Sequence, residues 1–297
     1  LLESRLRPGE RVADVGEDFH RGDRLVGAGE ALGPAALGAL AATGATQVDV
    51  YARPRVAIVP NGNELRLPGQ RLGPGEIYEA NHVALASVCA ASGAEVTWQR
   101  PLPDTPAAIA AGVRRALRGA DLVLVTGGSS VGEHDYLPRV FPKVGKLLFH
   151  GVAVRPGKPT LAATVDGKLL LGLPGHPTSC LSNAYWLVMP LLRRLARLPG
   201  TGWTRVEARM AESYPVAGGK FTTVVPLEVD AGLARPTFKD SSAITSLSRA
   251  NGFLLRSAAQ GDLRRGERVV VEMLPYPVGQ PPAPPPDGPQ GYRGRRR

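Results

Sequence analysis

A regular alternation of strand-like and helix-like segments, beginning at residue 54, constrains the fold more than any other feature of the sequence. Residues 55–60, 95–102 and 121–128 have strand patterns, while residues 81–91 and the segment that opens at Asp104-Thr105-Pro106 have helix patterns. This order is typical of parallel strands joined by right-handed crossovers. The strand at 121–128 is continuously apolar, as expected when both faces of a sheet are covered. The sequence therefore predicts an α/β fold, an open parallel-type sheet with helices on both faces.

The patterns change towards the C-terminus. A hairpin is predicted around Asp166-Gly167, followed by a long apolar helix at about 178–198. Beyond residue 200, short β-branched or alternating runs at 206–210, 222–229, 253–255 and 268–274 are separated by Gly and Pro turns. These runs predict a small β-barrel or sandwich after the α/β domain.

The chain has 297 residues, about twice the length of a typical domain of ~150 residues. We expect an α/β domain at 54–199 and a β-rich domain at 200–277. Residues 1–53, with one helix-like stretch near 34–43, look too short to fold alone and are interpreted as a partial N-terminal domain or linker. Residues 278–297 combine a proline cluster with arginines and are expected to be a disordered tail.

Charge and composition exclude several functional classes. The net charge of +10 suits an anionic ligand, but aromatic residues make up only 5% of the chain, fewer than single-stranded nucleic acid binding favours. No apolar run approaches the ~20 residues of a membrane span, and no signal core opens the chain, so a soluble, cytoplasmic protein is expected. Cys89 and Cys180 lie far apart, which predicts neither a disulfide framework nor a structural zinc site.

Polar or glycine-rich loops follow the predicted strands, where ligands of parallel α/β sheets bind. These loops are 61–64, the loop at Asp104, 126–135, 155–158 and 172–179. The glycines of 126–132 would let backbone N–H groups approach phosphate oxygens, although a tight turn explains them equally well. The spacing matches neither a Walker A loop nor a dinucleotide fingerprint.

Acidic side chains are the candidate metal ligands. Glu64, Asp104 and Asp135 follow three different strands, and carboxylates beside phosphate oxygens suit Mg²⁺. Taken singly, each is better explained without a ligand, Asp104 as a helix cap and Glu64 as a solvated loop charge. Taken as a set, with Arg155 and Lys158 nearby among the glycines, they favour a metal and anion site.

Histidines and cysteines offer weaker candidates. His134, His150 and His176 have no ligand-like spacing and are interpreted as loop or packing residues. Cys180 opens the predicted long helix, where a thiolate would be stabilised, but a buried apolar role is favoured because no general base is evident.

The motifs RPRVAIVPNGNEL, LGPGEIYEANHVAL, LPDTP, TGGSSVGEHDY, FHGVAVRPGKP and GLPGHPTS together resemble molybdopterin molybdenumtransferases, which are related to the C-terminal part of gephyrin. The resemblance covers about residues 10–275 and includes the stretch Ser248–Gly252. It implies a molybdopterin-binding α/β domain followed by a small β-barrel. At the N-terminus it departs from the family, because residues 1–53 lack a Met-Thr-Gly-Ala segment, so the chain is either a fragment or a shortened homologue.

Site residues follow from this resemblance position by position. Glu64 matches the family's Thr-Gly-Asp-Glu-Leu motif, in which Asn61 and Asn63 replace the threonine and the aspartate. The resemblance implies catalytic and metal roles for Glu64, Asp104 and Asp135. Arg155 falls on a basic position, whereas Gly151 stands where some members have lysine. The implied substrate-binding residues are Asn61, Gly127, Gly128, Ser129, Ser130, Arg155, Lys158, Pro174, Pro177 and Ser179.

The implied activity is insertion of molybdate or tungstate into adenylylated molybdopterin, dependent on Mg²⁺ and with release of AMP. A homodimer is implied, with a small pterin and an oxyanion as partners. Two alternatives stay open. The first is a molybdopterin-binding carrier or sensor without turnover, and the second is a nucleic-acid-binding protein, which only the charge favours.

Overall fold

A computed structural model describes residues 7–98, 100–129, 135–216 and 218–275. The chain divides into two compact units, one ending at Tyr51 and the other beginning at Ala52. The first unit contains a helix, α1 (Pro34–Ala42), at the predicted position. The predicted ligand residue Ser130 and the tail 278–297 lie outside the described residues.

The α/β part of the second unit is built on a six-stranded sheet. The strand order is β4-β1-β5-β9-β8-β6, in which β4, β1, β5 and β9 are parallel, and β8 alone runs the other way, pairing antiparallel with both β9 and β6. Two short strands, β2 and β3, form a separate parallel ribbon after β1. The strands of this part are β1 (Arg55–Pro60), β2 (Leu65–Arg66), β3 (Ile77–Tyr78), β4 (Glu95–Trp98), β5 (Leu122–Thr126), β6 (Lys146–His150), β7 (Val154–Arg155), β8 (Leu161–Val165) and β9 (Lys168–Leu173).

The antiparallel strand β8 refines the prediction of a parallel-type sheet. The hairpin predicted at Asp166-Gly167 joins β8 to β9. Both turn residues have positive φ, 50° and 78°, which is the requirement of a type I′ turn. This tight turn forces β8 to run against β9, so the sheet is parallel at its centre and mixed at one edge.

Helices cover both faces of the sheet, as predicted. Val56 and Ile58 of β1 point into one core cluster with α2, α5 and α6, while Ala57 and Val59 point into another with α3 and α4. The strands β1 and β5 are buried on both faces, which explains their continuous apolarity. The helices are α2 (Asn81–Ala91), α3 (Pro106–Gly119), α4 (Leu137–Val144), α5 (Pro177–Asn183) and α6 (Met189–Leu195).

The long helix predicted at about 178–198 is interrupted. A π-helical turn at Ala184–Val188 separates α5 from α6, and Pro190 follows in the first turn of α6. Proline has no N–H to donate to the carbonyl four residues earlier, so regular α-helical bonding cannot run through this point.

The C-terminal part is a closed barrel. Strand order β12-β10-β14-β13-β11 is closed by pairing of β11 with β12, and β7 adds to β11 from the α/β part. Its elements are β10 (Thr204–Met210), β11 (Thr222–Asp230), β12 (Leu233–Pro236), α7 (Thr245–Ser248), β13 (Gly252–Ser257) and β14 (Arg268–Met273). The barrel expectation is confirmed, although β12 was not among the predicted strands. None of the helices in the described part of the chain combines the length and apolarity that crossing a membrane requires.

Candidate functional site

Three loops at the carboxyl ends of β1, β5 and β9 meet through their backbones. Asn61 donates its N–H to the Thr126 carbonyl at 2.9 Å. Gly127 has φ +88°, and a Cβ built on it would lie 2.3 Å from the Asn61 carbonyl oxygen. A Cβ on Gly175 would lie 3.3 Å from the Gly127 Cα. Glycine at position 127 thus allows an approach that a side chain would block.

A cavity of about 670 Å³ opens beside these loops. Its lining combines glycine-rich backbone with carboxyl, hydroxyl and imidazole groups, the mixture that a phosphate-bearing ligand needs. The predicted site residues that line it are Glu64, Gly127, Gly128, Ser129, Asp135, Pro174, Pro177 and Ser179. The structure therefore brings together most of the described residues that the sequence singled out.

Asp104 does not line this cavity. Its Oδ2 accepts the Asn63 backbone N–H at 3.0 Å, and its own N–H donates to Asn63 Oδ1 at 3.1 Å. It is not the cap of α3 either, because Thr105 Oγ1 accepts the Ala108 N–H. Asp104 instead fastens the loop that carries Glu64, which gives it a positioning role.

The acidic residues do not form a cluster of three metal ligands in the described part of the chain. Among the described residues, no group of three or more His, Cys, Asp or Glu side chains is placed to hold a metal ion. Glu64 and Asp135 line the same cavity. Two carboxylates are enough for Mg²⁺, which completes its shell with water and phosphate oxygens.

Arg155 and Lys158 also lie outside the lining of this cavity. The Arg155 guanidinium stacks over the Phe221 ring at 4.0 Å from its centroid, which connects β7 to the barrel. Lys158 is exposed and is followed by Pro159, which does line the cavity. Gly157, which lies between Arg155 and Lys158, is fixed by a hydrogen bond, because Asn183 Nδ2 donates to its carbonyl at 2.9 Å.

Asn61 is buried at the end of β1, with 3% of its surface exposed. Neither its Oδ1 nor its Nδ2 has a hydrogen-bond partner among the described residues. A buried amide without partners is costly, because its desolvation is not compensated. The side-chain amide of Asn61 thus lies at the junction of the loops without a hydrogen-bond partner among the described residues, although Asn61 is not part of the cavity lining.

Sequence reasoning missed the residues at the start of α2. Asn81 Nδ2 donates to the Gly175 carbonyl at 2.8 Å, so this side chain anchors the loop that follows β9. The buried Glu79 carboxylate accepts the His82 N–H at 3.0 Å and also contacts His82 Nδ1. Their position at a helix start after a ribbon could have suggested this capping role.

The barrel also contributes to the cavity, which no local pattern indicated. Ser242 lines it, and Ser241 Oγ lies 3.2 Å from His176 Nδ1. At the start of α5, Thr178 Oγ1 donates to the Ala243 carbonyl at 2.7 Å. A hydrogen bond from the Ser242 hydroxyl lowers the pKa of Asp240 below its ordinary value.

Cys180 takes the buried role that the sequence favoured. It is 1% exposed within the core cluster between the sheet and α2. Burial, with Glu79 and Cys89 adding to it, raises the pKa of this thiol, so it stays protonated. A nucleophilic role for Cys180 is not supported.

Two protein-family models together match most of the described chain. Residues 57–194 match the probable molybdopterin binding domain, and residues 207–274 match the MoeA C-terminal region, domain IV. A molybdopterin molybdenumtransferase of Nostoc is 37% identical over 91% of this chain, and that of Bacillus subtilis is 30% identical over 92%. The chain spans 64% of the length of the Nostoc relative and 65% of the Bacillus one.

Solved structures show the same likeness. The crystal structure of a molybdopterin biosynthesis MoeA protein of Pyrococcus horikoshii aligns with a TM-score of 0.78 at 34% identity, covering 87% of this chain and 64% of that chain. A molybdenum cofactor biosynthesis protein of Pyrococcus furiosus aligns with a TM-score of 0.67 at 25% identity, covering 87% and 82%. With both domains matched in the same order, the chain is similar over most of its length to molybdopterin molybdenumtransferases.

Proposed function

We propose that the chain acts in molybdenum cofactor biosynthesis, as a transferase that binds adenylylated molybdopterin and molybdate and releases AMP. The observation that carries this proposal is the cavity in which the Gly127 turn and the carboxylates of Glu64 and Asp135 lie together. A site with backbone donors and a carboxylate pair suits a pyrophosphate with its counter-cation. Tungstate has the same shape and charge as molybdate and would bind in the same way.

The chain's own residues would divide the task. Backbone N–H groups of Gly128 and Ser129 would donate to phosphate oxygens, and the Ser129 and Ser179 side chains lie in the lining to orient them. Asp104 would hold Glu64 in place through Asn63. Mg²⁺ held by Glu64 and Asp135 would neutralise the pyrophosphate and polarise its phosphorus. Arg155 and Lys158, outside the lining, would attract the oxyanion towards the site.

AMP release tests the proposal directly. Glu64→Gln and Asp135→Asn should each slow Mg²⁺-dependent AMP release from the adenylate by about 100-fold or more, because each removes a charged ligand from the cavity. The measurement is single-turnover release followed by chromatography. Glu207→Gln and Asp230→Asn serve as matched controls, since both change exposed barrel carboxylates. Wild-type rates in both cavity variants would refute the metal assignment.

A binding module without turnover is the second candidate. It is favoured by the engagement of Asp104 with Asn63 and of Arg155 with Phe221, because neither of these predicted charged residues lines the cavity. Tight binding of the adenylate with no AMP release by the wild-type chain would support this candidate over the transferase. We further propose that the chain forms a homodimer, as the family resemblance implies.

A further inference from the structure

The cavity has a second kind of lining, which is apolar and which the proposed phosphate chemistry does not use. Leu65, Ile77 and Tyr78 from the ribbon β2–β3 line the same cavity as the glycine turn. Ile77 is 55% exposed and Tyr78 is 47% exposed. Single exposed apolar residues are ordinary, but these three come from one ribbon and border the same concave site.

The ribbon holds these side chains in fixed positions. Ile77 donates its N–H to the Glu64 carbonyl at 2.9 Å, and Glu79 donates its N–H to the Arg66 carbonyl at 2.8 Å. The Tyr78 hydroxyl donates to the Gln70 carbonyl at 2.9 Å. An ion pair between Arg66 and Glu76 closes the base of the ribbon. The apolar surface is therefore pre-organised before any ligand arrives.

The register of β2 against β3 decides which side chains lie on the same face of the ribbon. Leu65 lies opposite Ile77 and Arg66 lies opposite Tyr78, so Leu65 and Ile77 share one face of the ribbon. Leu65 and Ile77 both line the cavity, and of the pair on the other face Tyr78 lines it as well, whereas Arg66 does not. Two paired aliphatic side chains form one apolar surface, and such a surface gains free energy when an apolar partner covers it.

We propose that Leu65 and Ile77 form the contact surface for a planar heteroaromatic ring of the ligand, while the ligand's phosphates lie at the glycine turn. This inference rests on the proposed function, in which the substrate carries two such rings, an adenine and a pterin. Both rings have the chemistry that this surface recognises, and the experiment distinguishes them.

The test compares ring-bearing probes with a ring-free probe. AMP, neopterin and inorganic pyrophosphate are titrated by calorimetry, with Mg²⁺ and ionic strength held constant, against the wild-type chain, Ile77→Thr and Leu65→Thr. We expect Ile77→Thr to weaken binding of at least one ring-bearing probe about tenfold and to leave pyrophosphate binding unchanged. Ile77→Val should retain most of the affinity. Val270→Thr is the matched control, because Val270 is 53% exposed on the barrel.

Each result decides the matter. A loss confined to AMP assigns the surface to adenine, and a loss confined to neopterin assigns it to the pterin. Equal losses for pyrophosphate and the ring-bearing probes, or no loss in either threonine variant, would overturn the inference and leave the proposed function standing. Absence of AMP release with the ring-selective loss intact would instead overturn only the transferase proposal. A wild-type chain that binds none of the three probes would overturn both.

Discussion

At the scale of single residues, Gly127 carries the tightest constraint of the site. Its φ of +88° is in the left-handed region, and an added Cβ would lie 2.3 Å from the Asn61 carbonyl oxygen. The close contact cannot be relieved by a side-chain movement, because the atom that the Cβ would meet belongs to the backbone. The loops that follow β1 and β5 are also bonded to each other, which fixes the turn at Gly127. An added methyl group would therefore strain the local backbone conformation and also clash with the neighbouring loop.

Gly127→Ala should lower the free energy of unfolding by about 2–4 kcal/mol. Guanidinium-induced unfolding followed by circular dichroism measures the change. Gly119→Ala is the matched control: it lies at the end of α3 and its Cβ would meet nothing within 4 Å, so we expect no loss. If the two variants were equally stable, the close approach at Gly127 would have no energetic consequence.

At the scale of elements, the start of α3 shows how one segment serves both the fold and the site. Thr105 has extended backbone angles, its hydroxyl accepts the Ala108 N–H at 3.2 Å, and Pro106 occupies the first turn. Asp104, one residue earlier, is thereby free to accept the Asn63 N–H. Helix initiation and loop attachment are divided between two neighbouring side chains.

Thr105→Ala should destabilise the protein by about 1 kcal/mol, because an N–H at the start of α3 loses its acceptor. Thr105→Ser keeps the hydroxyl and should stay close to wild type. Urea midpoints of the three proteins, measured side by side, provide the comparison. Comparable destabilisation by serine and alanine would show that the methyl group rather than the hydroxyl matters at this position.

At the scale of the whole molecule, two buried thiols link stability to pH. Cys89 on α2 and Cys180 on α5 belong to the same core cluster, and burial raises the pKa of Cys89 from its ordinary 9.0 to about 12. Between these values the unfolded chain has lost the thiol proton while the folded chain keeps it. Because the folded state then binds more protons, the free energy of unfolding falls as pH rises above 9.0.

Cys89→Ala removes this contribution and should show a shallower decline. The free energy of unfolding is measured at about pH 8 and about pH 10, and the wild type should lose up to about 1.4 kcal/mol per pH unit more than the variant. Other groups titrate equally in both proteins, so the difference isolates Cys89. Parallel declines would show that the thiol is not desolvated to the extent that its burial indicates.

Local patterns determined the elements whose signals lie within a few residues. Continuous apolarity predicted β1 and β5, the Pro106 start predicted α3, and Asp166-Gly167 predicted the hairpin. These signals are readable because they report burial on one or two faces and the φ values that turns require. The candidate residues were found for the same reason, since ligand loops follow strand ends.

Tertiary structure decided which of those residues meet. Glu64 and Asp135 share a cavity while Asp104 binds Asn63, 41 residues away, and Thr178 binds Ala243, 65 residues away. The two-residue strand β7 and the short strand β12 are stabilised by pairing with β11. No local run of strand-forming residues therefore predicts them. Periodicity records which face of an element is buried, but the partner of a loop side chain depends on how distant loops pack, and that is settled only when the whole chain folds.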